Sequence, residues 1–394
     1  MVKENMMKQT EIGLLPEDWE VKELVEVAEL INGRAYSQFE LLSRGKYRVL
    51  RVGNFFSSDK WYWSDLELAN KFYVEKGDLM YAWSASFGPK FWYSEKTIYH
   101  YHIWKVEVFK SLNKHFLYHL LIQDKEAILN QSQGGTMFHI TKEAMGKRKF
   151  PFPPLPEQEA IAEALSDADA WIESLEQLIA KKRLIKQGAM QELLSPKEDW
   201  EVKKLGEVID VYRGGSPRPI QDFITDKLDG INWIKIGDTP SSGKYIVSTN
   251  EKIIPEGEKN SRRVYPGDFL LSNSMSFGRP YILKIDGCIH DGWLVLQNYK
   301  SSFDTEFLYY LLTSKYILDQ YKSKAAGSGV LNLNKEVVNT VELIIPSLTE
   351  QARIATILSD MDAELEALEE QLGKARKVKQ GMMQELLTGR VRLV

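Results

Sequence analysis

Hydrophobic positions along this chain follow two rhythms, and each rhythm occurs twice. Ile161, Leu165, Ala168, Ile172, Leu175 and Ile179 are spaced 4-3-4-3-4, the heptad spacing of a coiled-coil seam. Ile354, Leu358, Met361, Leu365, Leu368 and Leu372 repeat it position for position. Pro153, Pro154 and Pro156 precede the first pattern and Pro196 follows it, so both of its ends are marked. Residues 157–194 as a helix would span ~57 Å at 1.5 Å per residue. Acidic side chains lead and basic ones follow, as the helix dipole favours. Two such seams predict long helices packed on each other as an antiparallel, pseudo-twofold pair. Elsewhere, residues 20–150 and 201–345 hold short β-type runs such as "YRVLRVGNF", "DLMYAWSASFG", "INWIKIGD" and "DFLLSNSMSFG". Each set closes with an amphipathic helix, near 116–129 and 307–321, and a Gly-rich loop. The pattern predicts a mixed α+β globule, built twice.

The duplication is explicit in the letters. EDWEVK stands at 17–22 and again at 198–203, an offset of 181. "KGDLMYAWSASFG" from Lys76 echoes "PGDFLLSNSMSFG" from Pro266 at an offset of 190, and "HFLYHLL" from His115 echoes "EFLYYLL" from Glu306 at 191. "EQEAIAEALSDAD" and "KQGAMQELL", from Glu157 and Lys186, return as "EQARIATILSDMD" and "KQGMMQELL" at 193. The second copy therefore holds about a dozen extra residues, all in its first half.

Composition bounds the class. At 394 residues, 43% hydrophobic and 27% charged, the chain exceeds one ordinary core and has no sign of disorder. No apolar run nears the ~18 residues of a membrane helix, and the start MVKENMMKQTE has no signal-peptide core. The one cysteine, Cys288, excludes an intramolecular disulfide and a cysteine zinc cluster. A cytoplasmic protein with no membrane association is the simple expectation.

Catalytic patterns fail one by one. EDWEVK contains the E-x-K of metal-dependent nucleases, but Asp18 and Glu20 are too close to fold around one metal; with Leu15, Trp19, Val21 and Leu24 the stretch reads as scaffolding. There is no P-loop and no G-x-G-x-x-G after a strand, and "FPPLP" lacks the polar first residue of an amino-methyltransferase tetrad. His115 and His119, at i and i+4, could pair on zinc, but the second copy has Glu306 and Tyr310 there, so they read as surface histidines. No catalytic residue and no metal site is expected.

Binding features remain. Sixteen of the fifty residues from Phe55 to Trp104 are aromatic; most should be strand core, though "WYW" and "FWY" cannot turn every ring inward. Polar loops recur at matched places: "NGRAYS" with "RGGSPRP", "WSASFGPK" with "SNSMSFGRP", and "QGGTMFH" with "AGSGVLN". Glycine lets a backbone approach a phosphate, and Arg, Lys, Asn and Ser donate to phosphates and base edges. The expected DNA-contacting residues are Arg34, Tyr36, Ser86, Lys90, Gly134, Gly135 and Thr136 in the first copy. In the second they are Arg213, Ser216, Arg218, Asn273, Ser274, Arg279, Gly327 and Ser328. The plain alternative is that these loops only connect strands.

"TEIGLLPEDWEVKEL", the proline-rich joint before "PLPEQEAIAEALSDAD", "PSLTEQARIATILSDMD" and the two "KQGxMQELL" endings resemble the specificity subunit of type I restriction-modification enzymes over essentially the whole chain. The resemblance implies two α/β target-recognition domains, 1–156 and 196–349, separated by conserved helical regions, 157–195 and 350–394, that form an antiparallel coiled coil. It implies a non-enzymatic subunit that reads an asymmetric bipartite site on double-stranded DNA. Two adenine methyltransferase subunits would dock on the helices, and a translocating restriction subunit would join them. S-adenosylmethionine, ATP and Mg2+ would belong to those partners.

Charge qualifies that picture. The net charge is −4, with −4 on residues 157–194 and −1 on residues 350–394, which leaves +1 for everything else. Such a chain alone should hold DNA weakly, its partners supplying much of the phosphate contact. A second class, an adaptor with two peptide-binding globules on a helical strut, stays open. An enzyme of unfamiliar type would require polar residues shared by both copies in a cleft.

Overall fold

Both heptad patterns form helices, Leu155–Leu193 and Leu348–Leu386, of 39 residues each. The computed structural model describes residues 6–84, 86–131, 140–240, 243–273, 277–325 and 333–393, without the side chains of 130, 131 and 325. The first helix includes Pro156 in its opening turn, where a missing N–H leaves no helical bond unmade.

The chain divides into two compact units, residues 1–176 with 370–394, and residues 177–369. Each unit holds one globule, the beginning of one long helix and the end of the other. Within each unit the two helical segments run antiparallel, as their ion pairs show. In the first, Asp169 pairs with Lys379 and Glu176 with Arg376 at 2.6 Å. In the second, Asp362 pairs with Lys186 and Glu369 with Arg183 at 2.6 Å. These are the same two pairs made twice, related by the 193-residue offset.

None of the twelve heptad residues is exposed. Ile161, Leu165, Leu175, Ile179, Ile354, Leu358 and Leu365 are buried, and Ala168, Ile172, Met361, Leu368 and Leu372 are half-buried. Ile161 and Leu165 join the first globule's core beside Met383, Leu386 and Leu387. Ile354 and Leu358 do the same in the second, beside Leu194. The repeated "MQELL" endings are thus wedges that complete a globule, each apolar side chain adding about 1.5–3 kcal/mol by leaving water.

Each globule contains two sheets of matched order. In the first unit Ala28–Asn32, Ile103–Val108, Leu79–Ala82 and Gly88–Phe91 form one sheet; Tyr62–Ser64, Tyr47–Leu50, Thr97–Tyr99 and Tyr73–Val74 form the other. In the second unit the corresponding strands are Asp210–Arg213, Trp293–Gln297, Phe269–Ser272 and Pro280–Leu283, then Glu251–Ile253, Ile231–Ile234, Gly287–Ile289 and Arg262–Val264. Its additional residues supply two short edge strands, Tyr245–Ile246 and Ile224–Thr225. The central strands are covered on both faces, and alternation assigns their side chains to different cores. Leu79 and Tyr81 face one cluster while Met80 and Ala82 face another; Phe269 and Leu271 part from Leu270 in the same way.

The helix expected near 116–129 is Lys114–Gln131. Its counterpart is broken into Thr305–Thr313 and Lys315–Ala325. Ser314 between them is extended, and its hydroxyl accepts from the Ile317 N–H at 3.3 Å, capping the second piece.

EDWEVK is scaffolding both times. Glu20–Glu23 pairs with Lys149–Phe152, and Glu201–Lys204 with Glu342–Ile345. Trp19 is fully buried and donates its indole N–H to Glu157 at 3.0 Å. Arg392 grips the buried Glu157 at 2.6 Å and Asp18 at 2.8 Å, tying the end of the chain to the first globule. The neighbouring glutamine is duplicated in full. Gln158 accepts from the Asn113 N–H at 2.9 Å and donates to the Pro153 carbonyl at 2.9 Å; Gln351 accepts from Asp304 at 2.8 Å and donates to Pro346 at 2.9 Å.

The histidine pair needs a correction. His115 is exposed and stacks on Phe91, but His119 is buried, its Nε2 3.4 Å from the Ser166 hydroxyl and its Nδ1 without a hydrogen bond. It is not a surface histidine, because the helix turns it toward Leu155–Leu193. Tyr310 occupies the matched place and donates to Asp362 at 2.6 Å. Among the described residues, no group of three or more His, Cys, Asp or Glu could hold a metal ion, and no helix is long and apolar enough to cross a membrane.

Candidate nucleic-acid interface

In each unit three separate chain segments meet a fourth at one tight turn. In the first unit the turn is His100-Tyr101-His102, between Thr97–Tyr99 and Ile103–Val108. The His100 N–H donates to the Leu50 carbonyl at 2.9 Å, Gly33 to Ile103 at 3.2 Å, Arg34 to Tyr99 at 3.1 Å and Trp83 to His102 at 3.1 Å. In the second unit the turn is His290-Asp291-Gly292. There His290 donates to Ile234 at 3.1 Å, Gly214 to Trp293 at 2.9 Å, Gly215 to Ile289 at 3.1 Å and Asn273 to Gly292 at 3.2 Å. The same four bonds join the same four segments.

The matched glycines follow from this crossing. A Cβ on Gly33 would lie 2.5 Å from the Tyr99 and His100 carbonyl oxygens, and one on Gly214 would lie 2.2 Å from the His290 oxygen. These glycines admit the chain's own backbone at close range. The turn histidines also match, since the Nδ1 of His100 accepts from the His102 N–H at 3.5 Å and that of His290 from Gly292 at 2.9 Å.

The side chains at the two turns differ. In the first unit Arg34 forms an ion pair with Glu40 at 2.6 Å and lies over the Tyr36 ring at 5.2 Å. That guanidinium, with the Ser37 N–H, holds the Glu40 carboxyl down to about 2. Tyr36 is half-buried, its hydroxyl donating to the Tyr99 carbonyl at 3.4 Å. Arg34 and Tyr36 therefore brace the loop. Trp83 stacks on Trp104 with centroids 5.8 Å apart and meets His102 edge-on at 5.0 Å. Burial, with His102 and Arg51 nearby, lowers His100 to about 4, so it is neutral at pH 7. Arg51 is exposed over the Tyr62 ring at 5.2 Å, with no ion pair among the described residues. Ser86 and Lys90 are not part of the turn cluster. Ser86 is exposed beyond Leu79–Ala82, and Lys90 donates to the Phe55 carbonyl at 3.1 Å.

In the second unit four of the expected residues converge on Asp291. Its backbone carbonyl accepts from Arg213 at 3.3 Å and from Asn273 at 3.2 Å. Its carboxylate accepts from Ser216 at 3.0 Å and Arg218 at 3.3 Å, and stands 2.9 Å from His290 Nε2. Burial pushes the Asp291 carboxyl up, but the Ser216 hydroxyl, His290 and Arg218 outweigh it and hold the group below its ordinary range. Beside the cluster lies a groove of about 860 Å³ lined in part by Arg218, Trp233, Lys235, Glu251 and His290. Arg279 stands apart, donating to Gly243 at 3.3 Å. Gly134, Gly135, Thr136, Ser274, Gly327 and Ser328 lie outside the described residues.

Sequence reasoning missed Arg51, His100 and Tyr101, and Lys235, His290 and Asp291 opposite them. A signal existed: His100 and His290 stand 190 apart, the offset already set by "SASFG" and "SMSFG".

Comparison with known proteins places the whole chain. The family model described as "Type I restriction modification DNA specificity domain" matches residues 16–182 and again 197–375. The MjaVIII type I restriction enzyme specificity subunit of Methanocaldococcus jannaschii is 27% identical across 99% of this chain and 97% of its own. The EcoBI specificity subunit of Escherichia coli is 24% identical across 97% of this chain and 88% of its own. The solved S subunit of the type I system of M. genitalium shares the fold with a TM-score of 0.58 at 17% identity, covering 93% of this chain and 96% of its own. A chain from a structural study of type I R-M complex assembly and conformational transition gives a TM-score of 0.60 at 18% identity, with coverage of 96% and 99%. With two family matches that together take in most of its length, the chain belongs to the type I restriction-modification DNA specificity family.

Proposed function

We propose that this chain is the non-catalytic, sequence-reading subunit of a type I restriction-modification complex. Each globule reads one half of an asymmetric bipartite site on duplex DNA. The observation that carries the reading is the pair of turn clusters, in which one backbone frame is built twice and presents different side chains. A frame kept constant under changing contacts is what two readers of different half-sites require. The near-neutral globules favour shared duty, with partner subunits closing on the phosphates. The paired helices are the docking surface for two methyltransferase subunits, and a translocating restriction subunit completes the assembly. S-adenosylmethionine, ATP and Mg2+ act in those partners.

The test is methylation by the reconstituted complex on DNA libraries with each half-site randomised separately. Arg213→Ala and Arg218→Ala should relax recognition of one half-site, and Arg51→Ala should relax the other. Equal changes in both half-sites from any one variant would refute modular reading. Failure of the assembled complex to select any sequence would favour the peptide-binding adaptor.

A further inference from the structure

We infer that Asp291 is the base-reading group of the second globule, accepting a hydrogen bond from the exocyclic amine of cytosine or adenine in the major groove. The inference rests on the proposed role of the chain as a DNA reader.

Its first support is placement. Asp291 is the middle residue of the turn on which Arg213, Ser216, Arg218 and Asn273 all converge. Its matched residue in the first unit is Tyr101, 39% exposed.

The second support is charge. A carboxylate is repelled by phosphates, so one at the centre of a DNA-reading surface is tolerable only beside cations and against a donor. Arg218 provides the cation at 3.3 Å, while Lys235 in the adjoining groove is neutralised by its ion pair with Glu251. In the major groove the donors are the cytosine N4 and adenine N6 amines. Guanine O6 and N7 and thymine O4 are acceptors, which a carboxylate excludes by repulsion.

The third support is preorganisation. Ser216 and Arg218 hold the two carboxylate oxygens separately, while the side chain keeps 30% of its surface open to a ligand. The first unit has no acid at its turn, only His100, Tyr101 and His102, with Arg51 close by. The two half-sites should therefore be read by opposite chemistry, an acceptor in the second unit and donors and rings in the first.

The experiment uses the complete complex with its methyltransferase subunits and duplexes carrying its own methylated motif. Each cytosine or adenine of the two half-sites, apart from the methylated adenine, is replaced in turn by 2-pyrimidinone or purine, which lack the amine. One such replacement, in a single half-site, should weaken wild-type binding about ten-fold. In Asp291→Ala the same replacement should cost less than about two-fold, because its partner is already gone. The wild-type scan stands even if the variant folds poorly, and thermal unfolding of the variant checks that case. The inference is overturned if no amine deletion affects the wild type, or if Asp291→Ala keeps the amine sensitivity. It is also overturned if the variant loses affinity for all sequences alike. Failure of the underlying reading looks different, since wild-type complex would then show no sequence preference to scan.

Discussion

The two globules share the bonds that cross at one turn and staple the long helices, and they differ in the side chains at the tip of that turn. Gln158 and Gln351 make the same two staples, and Asp169–Lys379 and Asp362–Lys186 make the same ion pair. Gly33 and Gly214 admit the same backbone crossing. At the turn, His-Tyr-His of the first unit corresponds to His-Asp-Gly of the second. The frame is shared while the side chains at the turn differ, which is the contrast on which the proposed reading of two half-sites rests. A second asymmetry is internal: Arg392 clasps Glu157 and Asp18 in the first unit, whereas the matched Glu350 pairs locally with Arg353.

That clasp gives the largest expected effect. Arg392→Ala leaves the fully buried Glu157 carboxylate without its cation and should cost the first unit about 3–5 kcal/mol. Hydrogen exchange resolved by unit should show the loss in residues 1–176 and 370–394 and little in 177–369. Equal loss in both would erase the asymmetry.

Next in size, the matched glutamines sharpen the likeness. Gln158→Ala and Gln351→Ala each remove the partner of a part-buried N–H, at 113 and 304, and of a buried carbonyl, at 153 and 346, and should cost about 1–3 kcal/mol apiece. The two losses should agree to within about 0.5 kcal/mol. Denaturant curves for the two variants that differ widely would show that the frames are not equivalent.

The smallest effect at pH 7 comes from His119, where the copies diverge inside the frame. Burial, then the Lys379 and His115 charges, lower His119 to about 3. The unfolded chain binds that proton near its ordinary value of about 6.5, so it holds more protons than the folded chain between those values. Stability is therefore intact above about pH 6.5 and falls by about 1.4 kcal/mol per unit as the pH drops through that window. His119→Tyr installs the second copy's residue, which donates to the helix carboxylate there at 2.6 Å. It should be near neutral at pH 7 and should flatten the acid limb of the stability profile. An unchanged acid limb would exclude His119 as its source.

The frame was legible in the sequence because packing repeats as letters. The heptads marked the helices, and Trp19 in EDWEVK marked the anchor. The broken helix at Ser314 was not legible, since "EFLYYLLTSKYILDQY" keeps helical spacing while one serine re-caps the chain. The turn clusters were legible only in part. Arg213, Ser216, Arg218 and Asn273 were visible as loop donors, but their meeting at Asp291 depends on segments up to 78 residues apart. Arg34, also visible as a loop donor, forms an ion pair with Glu40, six residues on, which its place in the loop did not announce. Propensity locates loops, but it does not say which side chains a loop spends on itself.

The discontinuity of the first unit has a consequence for the order in which the molecule matures. Residues 177–369 form a contiguous stretch and can close as soon as they leave the ribosome. Residues 1–176 are made earlier but lack Met383, Leu386 and Leu387 in their core, and Arg392 against Glu157, until 370–394 arrive. The half of the protein synthesised first is therefore finished last. Throughout the making of the second half it keeps an open apolar socket and an acid held by Trp19 but lacking its cation.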